Sequence, residues 1–168
     1  DILCFGGNDG TATATASGGT VASAYTFLWD NNQTTATATG LIAGNYCLTV
    51  TDDNGCTVSD CIQVNQPTLL TATADSTDLL CFGSGIGTAT ANPLGGTATY
   101  TFLWDDAATQ TTATATGLPI GTYNVTITDN NGCTATASTS INEPTQVTLT
   151  TDSTDALCFG GNSGTAIA

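Results

Sequence analysis

Lysine, arginine, histidine and methionine are all absent from this chain of 168 residues. Each absence removes a class of function. Nucleic-acid binding depends on Lys and Arg to neutralise phosphates, and attraction to an anionic membrane depends on the same residues. A Ser-His-Asp or Cys-His catalytic site, a histidine metal site and a phosphate-binding Walker lysine each lack an obligatory member. Lysine-dependent isopeptide crosslinks are impossible as well. There is no run of about 18 apolar residues, so no membrane insertion is expected. The residues after Asp1 do not read as a signal peptide; if the protein is exported, the signal lies outside this segment. Taken together, these absences make catalysis, nucleic-acid binding and membrane insertion poor expectations.

Charge of either sign is scarce, at 8 % of residues against about 25 % in an average globular domain. What charge there is has one sign: 13 Asp and Glu143 give a formal net charge of -14. The composition is filled instead by 38 Thr, many alternating with Ala, and by 19 Gly. Thr is β-branched and suits strands, while so much Gly implies many turns. The seven Cys are neither grouped as metal pairs nor placed beside basic residues, and their positions recur along the chain. That usage favours disulfides and an oxidising, extracellular setting.

The recurrence has a period of 77 residues. Asp1-Ile2-Leu3-Cys4-Phe5-Gly6 returns as Asp78-Leu79-Leu80-Cys81-Phe82-Gly83 and again as Asp155-Ala156-Leu157-Cys158-Phe159-Gly160. Asn54-Gly55-Cys56 returns as Asn131-Gly132-Cys133, and Pro67 as Pro144. All eleven aromatic residues fall at repeat-equivalent positions. A proline cannot sit inside a central strand, so cuts at Pro67 and Pro144 give one whole unit, 68–144. The segment 1–67 then reads as a unit lacking its first strand, and 145–168 as the opening of a third. The chain resembles a window on a longer tandem array, or a subunit whose ends neighbours complete.

Each unit reads as an all-β, immunoglobulin-like sandwich. Thr11–Ala16 and Thr34–Thr39 alternate Thr and Ala as strands with one small-residue face. Tyr25, Phe27 and Trp29 share a face and are expected to fill most of the core. The pattern Gly-Leu-x-x-Gly-x-Tyr (Gly40–Tyr46, Gly117–Tyr123) is similar to the tyrosine corner of such sandwiches. Short strands between turns, with no helical period, fit this class better than a propeller or a solenoid.

Tyr46–Thr51 and Thr57–Val64 form a predicted hairpin, and its register follows from apolar matching. A three-residue loop, Asp53-Asn54-Gly55 with Gly left-handed, opposes Val50 to Val58, Tyr46 to Ile62 and Cys47 to Cys61. Directly opposed residues lie within disulfide range, so Cys47–Cys61 is the expected bridge. Closing about 15 residues, it contributes on the order of 3 kcal/mol by the chain-entropy argument. The remaining cysteines come once per unit near its start and once after the Asn-Gly turn. That spacing suggests Cys4–Cys56 and Cys81–Cys133 within units, leaving Cys158 for a partner beyond the chain. The alternative, Cys56–Cys81 with Cys133–Cys158, staples adjacent units.

Several acidic and hydroxyl motifs are candidate sites. Asp52-Asp53-Asn54-Gly55 and Asp129-Asn130-Asn131-Gly132 are similar to fragments of calcium loops, because hard cations want clustered oxygens. Asp52, Asp53 and Asp129 are the candidate ligands, although Asn-Gly is also a hairpin turn signal. Asp30-Asn31-Asn32 and Asp105-Asp106 offer the same two readings. Asp75-Ser76-Thr77 and Asp152-Ser153-Thr154 fit an Asp-Ser/Thr O-glycosylation motif at Ser76 and Ser153, or plain linker turns. Asn32-Gln33-Thr34 and Asn124-Val125-Thr126 fit the N-glycosylation pattern. The aromatics could stack on surface glycans, but they alternate as core residues do. No cofactor other than a possible calcium ion is expected.

The motifs together resemble a known repeat. Cys-Phe-Gly-x-x-x-Gly-Thr-Ala-Thr, Gly-Gly, Tyr-Thr-Phe-x-Trp, Gly-Leu-x-x-Gly-x-Tyr and Thr-Asp-x-Asn-Gly-Cys are similar to the SprB-type repeat of Bacteroidetes gliding-motility and other surface adhesins. The resemblance covers both long units and the opening of the third. It implies export by a type IX system, a cell-surface location and a stalk or adhesive filament, with no catalytic residue to carry over. The expected partners are other copies of the repeat or chain in a fibre. In a self-assembling version, 145–154 of one chain supplies the first strand missing from another. The competing expectation is a calcium- or glycan-binding accessory module of a secreted protein.

Overall fold

A computed structural model gives the fold and describes residues 1–21, 24–84, 86–155 and 159–167. Strands and turns make up the described residues, with no helix among them. The first unit contributes β1 (Gly10–Thr13), β2 (Thr26–Trp29), β3 (Thr37–Leu41), β4 (Gly44–Thr51) and β5 (Thr57–Val64). The second contributes β6 (Thr71–Thr77), β7 (Gly87–Leu94), β8 (Thr101–Trp104), β9 (Thr114–Leu118), β10 (Gly121–Thr128) and β11 (Thr134–Ile141). A short hairpin, β12 (Asp152–Thr154) with β13 (Thr165–Ile167), follows.

The second unit is a sandwich of two three-stranded antiparallel sheets, β6-β7-β9 facing β8-β10-β11. Its strand order is that of an immunoglobulin-like fold, with the core Trp on the third strand and the corner Tyr at the start of the fifth. In the first unit the second sheet is complete as β2-β4-β5, but its partner holds only β1-β3. Among the described residues that sheet holds no counterpart of β6.

Each unit closes on its own core. Trp104 is 1 % exposed and packs among Ala89, Ala91, Ala115, Val125, Ile127 and Ile141. Trp29 occupies the same place among Ala12, Ala38, Leu41, Leu48 and Val64. The Thr/Ala alternation now has a physical role: Ala faces inward so that an indole fits between the sheets, and Thr faces out. The two indole N–H groups donate to Thr35 O and Thr112 O at 2.9 and 3.0 Å. This holds 33–36 as a loop over the ring, so β3 starts at Thr37 rather than at Thr34.

The expectation that three aromatics fill each core needs correction. Tyr25, Phe27, Tyr100 and Phe102 are only half-buried. They stand towards the rim, where the Tyr25 and Tyr100 hydroxyls donate to Gly18 O and Gly95 O, each at 2.7 Å. Aliphatic residues supply the remaining volume. The tyrosine corner is present twice: Tyr46 donates to Ile42 O at 3.1 Å and Tyr123 to Pro119 O at 3.0 Å.

The hairpin register is as the apolar matching predicts, with Val50 opposite Val58, Tyr46 opposite Ile62 and Cys47 opposite Cys61. Gly55 takes the left-handed conformation at φ 83° that the three-residue loop requires.

Candidate functional site

Cysteine placement defines the most informative site, the junction between the two units. Cys47 and Cys61 are bonded across the hairpin, with Cα atoms 4.0 Å apart. The other predicted pairs are not formed. Cys4 is bonded to Cys133, 129 residues away and in the other unit, while Cys56 and Cys81 are exposed thiols. Cys158 lies outside the described residues.

Geometry explains why Cys4–Cys56 fails. Ile2 N–H donates to Asn65 O and Gly6 N–H to the Gln66 side chain, which pins the start loop to the end of β5. Cys56 immediately precedes β5, eight residues long, so about 26 Å of strand separates the two cysteines. The same argument applies to Cys81 and Cys133, since Leu79 N–H donates to Asn142 O and Gly83 N–H to Glu143 at the far end of β11. The chain leaves the first unit at its start-loop end and enters the second at its turn end. Start cysteine and turn cysteine of successive units therefore meet.

The turn is held ready for that meeting by Asp129, which is buried. One carboxylate oxygen accepts N–H bonds from Asn131 (3.0 Å) and Cys133 (2.8 Å), and the other accepts one from Thr97 at 2.8 Å. So oriented, Asn131 donates its side-chain amide to Leu3 O at 2.8 Å, across the junction. Phe5, Leu69 and Leu70 line the remaining gap beside the disulfide. In the first unit Asp52 repeats the arrangement, accepting from Thr20, Asn54 and Cys56 N–H groups. Bonds led by Thr97 N–H for Asp129, and by Thr20 N–H for Asp52, hold both carboxyls below the ordinary aspartate value.

A pH dependence follows. A carboxyl whose native pKa is lowered stabilises the fold above its unfolded value of 3.8, and that contribution is lost as pH falls through the native pKa. Asp129→Asn is expected to melt several degrees below wild type at pH 7, with the gap closing as pH drops below that value. A gap that stays constant in thermal melts across this range would contradict the assignment.

The candidate calcium ligands are the same side chains. Asp52 and Asp129 spend their oxygens on the turn amides, and the main-chain N–H of Asp53 donates to Thr20 O. Among the described residues no three acidic, Cys or His side chains converge as a metal-binding group. Asp30 accepts from Cys47 N–H, and Asp105 accepts from both the main-chain and side-chain amides of Asn124. Asp106, buried, caps the following loop through Ala108 and Gln110. Ser76 and Ser153 lie on strands β6 and β12, which corrects the linker-turn reading of both motifs. The Ser76 hydroxyl donates to Ser140 O at 2.8 Å. Asn32 sits in a turn at φ 68°, and Asn124 lies on β10.

A second site was not legible as a cavity. A groove of about 610 Å³ opens in the first unit, lined by Thr13, Gly19, Trp29, Val58, Asp60 and Ile62 among others. It occupies the place that β6 fills in the second unit, where β6 packs against β11.

Residues 1–34 and 73–109, one stretch in each unit, match the SprB repeat family. The SprB repeat is a module of cell-surface proteins. No curated protein matches the chain. Solved structures that match include a Dscam chain from a study of isoform specificity, at 13 % identity and a TM-score of 0.41, covering 85 % of this chain and 43 % of that one. The four N-terminal Ig domains of Dscam1 isoform 9.44 match at 13 % identity and 0.40, covering 85 % and 42 %. An amphioxus IgVJ-C2 molecule matches at 14 % identity and 0.40, covering 84 % and 99 %. The chain spans less than half the length of these Dscam structures. The repeat match and the β-sandwich fold point to a structural or adhesion-type repeat module.

Proposed function

We propose that the chain is a load-bearing segment of an extracellular surface fibre, a non-catalytic stalk exported by a type IX system. The observation that supports this most is the Cys4–Cys133 bond, because it ties one unit to the next rather than closing a unit on itself. Repeated at the period of 77 residues, such bonds form overlapping rings. Load then passes through each ring's sulfur bridge and through only the 25 residues from Cys133 to Cys158 before the next bridge. A fibre of this kind keeps its length under tension. With no Lys or Arg, it also offers trypsin-like proteases no cleavage site.

Electron micrographs of the native parent protein test this reading. Beaded filaments with one bead per repeat are expected. Repeats folded back around a separate catalytic domain would instead favour an accessory module.

A further inference from the structure

A chemically labile dipeptide stands at the junction. Asn131-Gly132 occupies the turn of the second unit that meets the first. An asparagine followed by glycine is prone to ring closure, in which the glycine main-chain nitrogen attacks the asparagine Cγ and no side chain on the glycine hinders the approach. Gly132 is left-handed at φ 85°, and the space a Cβ would take there is open. Steric crowding therefore does not protect this site.

Hydrogen bonds do. The Asn131 side-chain amide donates to Leu3 O across the junction at 2.8 Å and to Thr97 Oγ1 at 3.1 Å. The Gly132 N–H donates to Asp129 O at 3.1 Å. Attacking nitrogen and attacked amide are each engaged elsewhere, so ring closure needs both to be released. Only the bond to Leu3 leaves the second unit. It lies beside the Cys4–Cys133 bridge, and Cys133 Sγ itself stands 3.5 Å from Leu3 O. The disulfide thus keeps the amide's acceptor in place.

We infer that Asn131 is a deamidation site gated by the junction, closed while Cys4 and Cys133 are bonded and open once that bond is lost. Opening takes two electrons from two molecules of a small thiol such as glutathione, which leave as its disulfide while Cys4 and Cys133 become thiols. In the open state the Gly132 nitrogen bonds to Asn131 Cγ. Its proton leaves with the Nδ2 amide as ammonia, and a succinimide ring remains. One water then opens the ring at either carbonyl and leaves aspartate or isoaspartate at 131.

The product cannot rebuild the junction. An amide donates, whereas an ionised carboxylate only accepts, so Leu3 O loses its donor and faces a negative charge. That charge also stands two residues from Asp129, whose carboxylate holds the same turn, and like charges at such range repel. Isoaspartate further adds a methylene to the main chain of the turn. A junction left reduced is therefore marked permanently as open. The site goes beyond the stalk reading and does not rest on it, since it concerns the chemistry of one turn.

The test ages the full chain and its Cys4→Ser, Cys133→Ser double variant side by side in mildly alkaline buffer. Peptide mapping by mass spectrometry follows conversion at Asn131. Because the reaction draws on the open population, Asn131 is expected to convert roughly tenfold faster in the double variant. Asn54-Gly55 is the same dipeptide in a turn separated from the start loop by the length of β5, and should convert at one rate in both proteins. Equal rates at Asn131, or an acceleration shared by Asn54, would overturn the gating. A second arm reads the effect of the product in chains carrying Cys56→Ser, Cys81→Ser and Cys158→Ser. There Asn131→Asp is expected to lower the equilibrium constant for Cys4–Cys133 formation in glutathione buffer roughly three- to tenfold. An unchanged constant would overturn the permanent marking. Either failure would leave the micrograph test of the stalk untouched.

Discussion

Trp104→Ala is expected to destabilise the second unit by about 3–5 kcal/mol, the usual range for emptying a buried indole site. The indole is 1 % exposed, and β7 and β9 contribute three alanines to its core, Ala89, Ala91 and Ala115, beside the single larger Leu118. Alanine side chains cannot lengthen or turn to fill the space, so the site collapses poorly. A domain of this size carries only about 4–11 kcal/mol in all, so the variant sits near its unfolding threshold. Trp104→Phe retains most of the volume but loses the N–H bond to Thr112 O, and is expected to cost less. Trp29 lies in the other core and serves as an internal reporter. In urea titrations its transition should move far less than that of the altered unit. A shift below about 0.5 kcal/mol in Trp104→Ala, typical of surface sites, would contradict the packing described.

Removing the junction disulfide is the second large effect. The paired change Cys4→Ser and Cys133→Ser opens a ring spanning 129 residues, about 5 kcal/mol by the chain-entropy argument, against about 3 kcal/mol for the ring of Cys47 and Cys61. Serine at both positions leaves no unpaired thiol behind. The Asn131 bond to Leu3 O remains, but it is exposed and cannot alone hold two units in register. Calorimetry is expected to show one coupled transition in the oxidised protein and two separate ones in the double variant. Equal melting profiles for the two proteins would mean that the bridge constrains nothing.

The hairpin, the corner tyrosines and the core tryptophan were legible because each depends on residues close in sequence. Gly55 fixes the loop, and the alternation of apolar residues fixes which strand residue meets which. Cys47–Cys61 follows from that register alone. The junction was not legible in the same way. One start cysteine and one turn cysteine per unit invites pairing within the unit. The length of β5 argues against it, since eight extended residues place the two at opposite ends of the sandwich. Which end of the next unit lies alongside is a property of the linker path through Leu69 and Leu70, and no local pattern encodes it. The acidic turns allow two readings for a related reason: an aspartate that caps a turn and one that binds calcium share a sequence signature, and only the bonds from Thr97, Asn131 and Cys133 show what Asp129 is engaged with.

Force–extension measurement on the chain, tethered at Asp1 and Ala168, tests the central claim most directly. In the oxidised protein load bypasses everything between Cys4 and Cys133. Only the short segments outside that ring can lengthen, by roughly 14 nm, whereas the reduced chain reaches roughly 60 nm at about 3.6 Å per residue. A contour length near 60 nm in both redox states would show that units are not bridged to one another and would end the case for an inextensible fibre.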